Sequence, residues 1–227
     1  MLKKGDKKLI NAWAFYDWAN SVYSLVIGTA VFPLYYSNIT EGATVSFLGT
    51  DWEHPDTLYS YALSFSFLVV AFMSPILSAI ADYTGNKKRF LQIFCWIGSL
   101  SVMSLYFFDG IDTVWIGIVF TVLASIGFWS SIVFYNAYLP EVAFPEDQDR
   151  VSAKGFILGY LGSVILLVIN LGMILKPELL GITSGAASQI SFVMVGLWWL
   201  GFAQITFRRL PNNIFDKKPE KDYIWKG

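Results

Sequence analysis

The chain has 227 residues, of which 55 % are hydrophobic and only 15 % charged, too little charge to cover a water-soluble domain, where about 25 % is usual. A soluble globule, a disordered chain and a nucleic-acid binder are disfavoured, and a net charge of −1 gives no case for a polyanionic partner. One cysteine (Cys95) and one histidine (His54) exclude an internal disulfide, a multi-cysteine metal site and any mechanism that needs two histidines.

Six long apolar runs follow one another, at residues 12–36, 58–81, 90–108, 113–139, 155–175 and 190–207. Runs of about 20 residues, rising ~1.5 Å each, match a hydrocarbon layer ~30 Å thick. No water is available there to bond free backbone groups, so the runs are expected to be helices. Barrel strands would instead alternate polar and apolar residues. The expected fold is an all-α membrane protein with six transmembrane helices. Residues 1–207 form its membrane domain and 208–227 a charged tail. The first run is too long for a signal-peptide core and is expected to stay attached.

All but one of the 16 basic residues fall on one side of these spans. They are Lys3, Lys4, Lys7 and Lys8, then Lys87, Lys88 and Arg89, then Arg150 and Lys154, and finally Arg208, Arg209 and the tail lysines. Only Lys176 lies on the other side. The bias places both termini in the cytoplasm, which an even number of spans also requires. The connection at 37–57 carries Glu41, Asp51, Glu53 and Asp56 without a basic residue. It reads as a solvated outer loop in preference to a solute-attracting rim.

In the first run Asp17 stands out, because a charge at mid-depth costs roughly 2.5–3.5 kcal/mol. Ser21, Ser24 and Gly28 follow it on one helical face, with Asn20 one position off. Two readings stay open: a face lining an aqueous pathway with Asp17 as a proton or cation site, or an interfacial aspartate bonded to a neighbouring helix. The second run has a stripe of small residues, Ser60, Ser64, Ala71, Ser74 and Ser78, suited to close helix packing rather than solute contact. In the fourth run Asn136, a candidate for the solute pathway with Asp17, Asn20, Ser21 and Ser24, precedes Pro140 and Glu141, and this segment can also simply close the helix. In the fifth, Gly155, Gly159 and Ser163 form a small face that reaches Asn170, expected to bond another helix or a solute.

Residues 78–89, Ser-Ala-Ile-Ala-Asp-Tyr-Thr-Gly-Asn-Lys-Lys-Arg, resemble the G-x-L-A-D-R-x-G-R-K signature loop of the major facilitator superfamily. Ala81, Asp82, Gly85 and Lys87 match in register, while Ser78, Tyr83 and Asn86 depart from it. The resemblance implies a latch made by Asp82, Gly85, Lys87, Lys88 and Arg89 that holds two transporter halves together in the outward-open state. Tyr83 cannot supply the bidentate contacts of the arginine it replaces, and a plain positive-inside turn is the alternative.

Residues 13–21 (Trp-Ala-Phe-Tyr-Asp-Trp-Ala-Asn-Ser), 135–141 (Tyr-Asn-Ala-Tyr-Leu-Pro-Glu) and the glycine-rich 155–162 resemble one branch of that superfamily. The branch holds bacterial permeases of unassigned function and fungal autophagy-related vacuolar amino-acid effluxers. The resemblance implies export of amino acids or another small solute by alternating access, with a proton or cation as coupling ion and no cofactor. Membership also implies the N-terminal half of a twelve-span fold, itself built from two inverted three-helix repeats. A missing C-terminal six-helix half, or a second copy of the chain, would complete the cavity. Truncation, a split pair and a self-dimerising half are the three arrangements considered, truncation first. The isolated chain is then expected to insert and fold in a lipid bilayer without transporting. A bacterial inner membrane follows only from the resemblance.

An intramembrane enzyme is not expected. Ser130 and Ser131 lack a G-x-S-G pattern, His54 lies in the outer loop, and there is no H-E-x-x-H. A non-transporting scaffold remains a rival reading, because packing stripes serve either role.

Overall fold

A computed structural model describes residues 3–211, without the side chains of residues 80–84. Six of its helices are long and apolar enough to cross a membrane: Lys7–Thr40, Pro55–Ala79, Lys87–Phe107, Ile111–Val142, Pro145–Leu175 and Ser184–Arg209. Most of these outrun the apolar stretches that announced them, because the helices continue through polar end turns. The Asp6 carboxylate, for example, accepts from the Lys8 N–H at 2.8 Å and caps the first helix at Lys7. The last helix likewise runs through Arg208 and Arg209, placed in the tail by composition. Residues 212–227 of that expected tail lie outside the described residues.

We label the six helices α1 (Lys7–Thr40), α2 (Pro55–Thr84), α3 (Lys87–Ser104), α4 (Val114–Ala137), α5 (Gln148–Leu175) and α6 (Ser184–Arg209). Within α1, residues Tyr23–Val31 wind as a π-helix. Pro33, just beyond, brings no N–H to the ladder, and a widened turn re-pairs the backbone there. The reversal between α2 and α3 depends on Gly85, which caps α2 in the left-handed region at φ 65°. The connection after α1 carries a small hairpin that composition did not reveal. Strands β1 (Val45–Phe47) and β2 (Thr50–Trp52) pair antiparallel around Leu48-Gly49, both at positive φ.

Packing follows a two-fold pattern. The main contacts are α1 with α5 and α6, α4 with α2 and α3, and α3 with α6. Exchanging α1 with α4, α2 with α5 and α3 with α6 maps this set onto itself. Three spans per repeat turn the second repeat upside down relative to the first, so the bundle is two inverted three-helix repeats. The α3–α4 seam is tight because Gly98 and Gly127 let backbones touch: a Cβ on Gly127 would stand 2.5 Å from the Gly98 nitrogen.

Trp13, Tyr16, Phe32, Tyr36, Phe108 and Trp199 fill the core and are all fully buried. The least buried helices are α2 and α5, which present Phe65, Phe67, Phe72, Phe156, Tyr160 and Val168 outward. The first part of the small-residue stripe of α2 belongs to this outer face, while Ser74 and Ser78 are half-buried. Ser60, Ser64 and Ala71 are exposed, and the two serine hydroxyls bond back to their own helix at 2.8 Å. The side of α2 that meets α4 is a different one, marked by a 2.7 Å bond between the Ser66 and Ser125 hydroxyls. The stripe is shaped for close packing, but not against the described part of this chain.

Candidate functional site

The site forms where α1, α4 and α5 meet. Asp17 stands on the third turn of α1, ~15 Å along it at ~1.5 Å per residue. Its Oδ2 accepts from the Tyr135 hydroxyl of α4 at 2.9 Å. One turn before Asp17, the Trp13 ring lies flat on Tyr135, with centroids 4.2 Å apart and planes at 10°. The Trp13 indole N–H donates to the Tyr135 carbonyl at 2.9 Å. Tyr135 is thus held by stacking on one face and by its backbone, and its hydroxyl is fixed toward the carboxylate.

Helix α5 closes on this pair through glycines. A Cβ at Gly155 would stand 2.7 Å from both Asp17 Oδ2 and the Tyr135 hydroxyl, and one at Gly159 would stand 2.5 Å from Ser21 Oγ. Only a residue without a side chain lets α5 come this near while the Asp17–Tyr135 bond survives. The small face read from residues 155, 159 and 163 therefore packs on α1.

Beside the pair opens a cleft of about 510 Å³, with Asp17, Tyr135, Asn136 and Ser152 as polar lining and Ile132, Phe156 and Ile157 among the apolar. Asp17 is half-buried, and no ion pair reaches it among the described residues. Lys154, beside Gly155 on α5, donates to Asn11 at 2.5 Å instead. Among the described residues this carboxylate is thus matched by one neutral hydroxyl and by no cation.

The remaining expected residues fall into three groups. Ser24 is exposed on α1 together with Gly28, with the Ser24 hydroxyl on the Ser21 carbonyl at 3.1 Å, so the polar face extends along the helix. Asn20 turns inward: it is fully buried, and its Oδ1 accepts from Ser21 at 3.4 Å while its Nδ2 has no partner among the described residues. Asn170, also fully buried, makes no side-chain hydrogen bond among the described residues. It lies apart from the cleft lining.

At the start of α3, just after the turn from α2, Lys87 pairs with Glu141 at 2.9 Å and Lys88 donates to the Leu210 carbonyl at 2.8 Å. Arg89 is exposed. The Asp82 side chain lies outside the described residues. Glu141, expected only to close a helix, thus bridges the short turn after α4 to α3. Tyr135, Trp13 and Gly155 were not singled out as site residues from the sequence. The available signal was Trp13 four residues before Asp17, on the same helical face.

Comparison with known proteins gives a consistent picture. The family model described as "Vacuole effluxer Atg22 like" matches residues 5–227. The "Uncharacterized MFS-type transporter YxiO" of Bacillus subtilis (strain 168) is 37 % identical over 221 residues, which is 96 % of this chain and 50 % of that protein. Autophagy-related protein 22 of Pyricularia oryzae is 24 % identical over 197 residues, covering 63 % of this chain and 28 % of that protein. The same-named protein of Gibberella zeae is 39 % identical over 80 residues, or 35 % and 12 % of the two chains. The chain spans about half the length of the Bacillus relative or less of the fungal ones. No solved structure matches it.

Proposed function

Because the chain belongs to the Atg22-like vacuole effluxer family, we propose that it forms the N-terminal half of a secondary transporter that moves a small solute by alternating access. A second six-helix half faces the outer surfaces of α2 and α5, where exposed aromatics and the serine stripe await a cover. The solute cavity lies between the halves, and the Asp17 cleft is part of its wall. Amino acids moved outward from the cytoplasm or out of an organelle are the solute class we put first, with a proton or cation as the coupling ion. The distribution of lysine and arginine supports cytoplasmic termini, and the likeness to a bacterial relative supports a bacterial plasma membrane.

One observation carries this reading: Asp17, a half-buried carboxylate inside a span, opens on a cleft and, among the described residues, has a single neutral partner. Intramembrane charges of this kind face pathways or partners, because lipid would repel them. A scaffold without transport would leave Asp17 only its bond to Tyr135 of α4. In the same reading Asp82, Gly85, Lys87, Lys88 and Arg89 form the latch between the halves.

The test is flux in liposomes. The full two-half assembly should carry radiolabelled leucine, tyrosine or lysine down a pH gradient, and Asp17→Asn should abolish the dependence on that gradient. The six-helix chain alone, at a density that excludes dimers, should carry none. Robust flux by the monomeric half would contradict the proposal.

A further inference from the structure

At the end of the bundle opposite the hairpin, three segments converge on the last turns of α4 and the short helical turn Leu139–Val142 that follows. Glu141 accepts from Lys87 at the start of α3, and the side chains of this pair are only 15 % (Lys87) and 9 % (Glu141) exposed. The Val142 carbonyl accepts from the Gly5 N–H at 2.9 Å, and the Lys4 ammonium stands 5.3 Å above the Phe144 ring. The Tyr138 hydroxyl donates to the Pro211 carbonyl at 3.1 Å, and Lys88 donates to the Leu210 carbonyl at 2.8 Å. Leu210 has left α6 and is extended at ψ 135°, yet it is fully buried.

The four bonding side chains are two pairs of neighbours. Lys87 and Lys88 are adjacent in the first turn of α3; one reaches the turn after α4, the other the segment after α6. Tyr138 and Glu141 stand three residues apart, so they occupy one side of the chain; one reaches the segment, the other α3. The carbonyls of Leu210 and Pro211 lie past the helix end, where side-chain donors from other elements take the place of the helical ladder. Each bond is partly buried, so water replaces it at a greater cost than at an open surface.

We propose that Lys88 and Tyr138 clamp the extended segment that leaves α6, and that the clamp couples this segment to the Lys87–Glu141 pair, so that pulling the segment away loosens the α2–α3 turn. The segment then acts as a strap on the loop that carries the superfamily-like signature. This inference goes beyond the transport reading and does not depend on a solute.

The test uses the 227-residue chain in lipid nanodiscs on a Cys95→Ser background. Spin labels at Pro211→Cys and Glu146→Cys report the segment, leaving the Pro211 carbonyl in place. Hydrogen exchange at Arg89 and Phe90, whose N–H groups close the turn on the Asn86 carbonyl at 3.0 and 3.3 Å, reports the loop. Without further change the distance distribution should be narrow. Tyr138→Phe and Leu210→Ala, which act from opposite sides of the clamp, should each broaden it and raise exchange at Arg89 and Phe90 about tenfold, with the middle of α6 unchanged. A distribution that stays narrow in both variants would overturn the clamp. A released segment with unchanged exchange at Arg89 and Phe90 would overturn the coupling, as would a rise spread over all of α6.

Discussion

The Tyr135 hydroxyl donates to Asp17 across 118 residues of sequence, and among the described residues this is the one hydrogen bond the Asp17 side chain receives. Two neighbours shape the bond: Trp13 stacks on the tyrosine, and Gly155 leaves room for the carboxylate. The pair is flanked by Trp13 and by α5 and opens on the cleft.

Asp17→Asn in the full-length assembly is therefore expected to change the pH dependence of transport far more than the melting temperature. The amide keeps the size and still accepts from Tyr135, but it cannot take up a proton. Flux measured across a series of external pH values checks this. Intact flux with an unaltered pH profile would leave Asp17 as a helix-bonding residue only.

Gly155→Ala should destabilise the chain by about 1–3 kcal/mol, because the new methyl would stand 2.7 Å from both Asp17 Oδ2 and the Tyr135 hydroxyl. Gly172→Ala on the same helix, where a Cβ meets nothing within 4 Å, should be neutral or slightly stabilising. Thermal unfolding of both variants in detergent, followed by tryptophan fluorescence, makes the comparison. Equal effects at the two positions would refute the close approach.

Trp13→Phe keeps a ring on Tyr135 but removes the indole N–H that bonds its carbonyl. The expected loss is about 1 kcal/mol, against roughly 3–5 kcal/mol for Trp13→Ala. Urea unfolding of the two variants separates the hydrogen bond from the stacking.

Removing either member of the Lys87–Glu141 pair should cost about 1–3 kcal/mol, as the partner is left half-buried. The exchanged pair Lys87→Glu with Glu141→Lys should recover a part of it. A double-mutant cycle with no coupling would place both residues at the surface of the molecule, in conflict with the structure.

How far the sequence was legible follows from the range of each interaction. The six spans were visible because bilayer thickness dictates the length of an apolar run directly. Their ends were not, because Asp6 and the arginines after Phe207 continue helices by capping and end-charge effects rather than by apolarity. Asp17 was conspicuous by the cost of its charge, whereas Tyr135 is an ordinary residue for an apolar run until its distant partner is known. The periodicity of the α2 stripe was read correctly, but a period cannot say which surface the face meets, and here it turns away from α4. Glu141 looked like a helix end for the same reason: its partner, Lys87, is 54 residues away. The hairpin at Val45–Trp52 escaped notice because three-residue strands carry too few alternations to register.

Ser64→Leu offers a check on the outer face of α2. In the isolated chain it should change stability by no more than about 0.5 kcal/mol, since Ser64 is exposed and, among the described residues, bonded only within its helix. In the two-half assembly it should weaken association, seen as loss of co-purification of separately expressed halves. Unimpaired association would move the second half to another face.

The central claim is that the polar face of α1 borders water inside the membrane. It is tested most directly by the reaction of Ser24→Cys with a membrane-impermeant maleimide, in the Cys95→Ser full-length assembly reconstituted in liposomes. Labelling at Ser24→Cys, with Phe72→Cys on α2 silent under the same conditions, is the predicted result. A silent Ser24→Cys alongside a reactive control in the outer hairpin would contradict it.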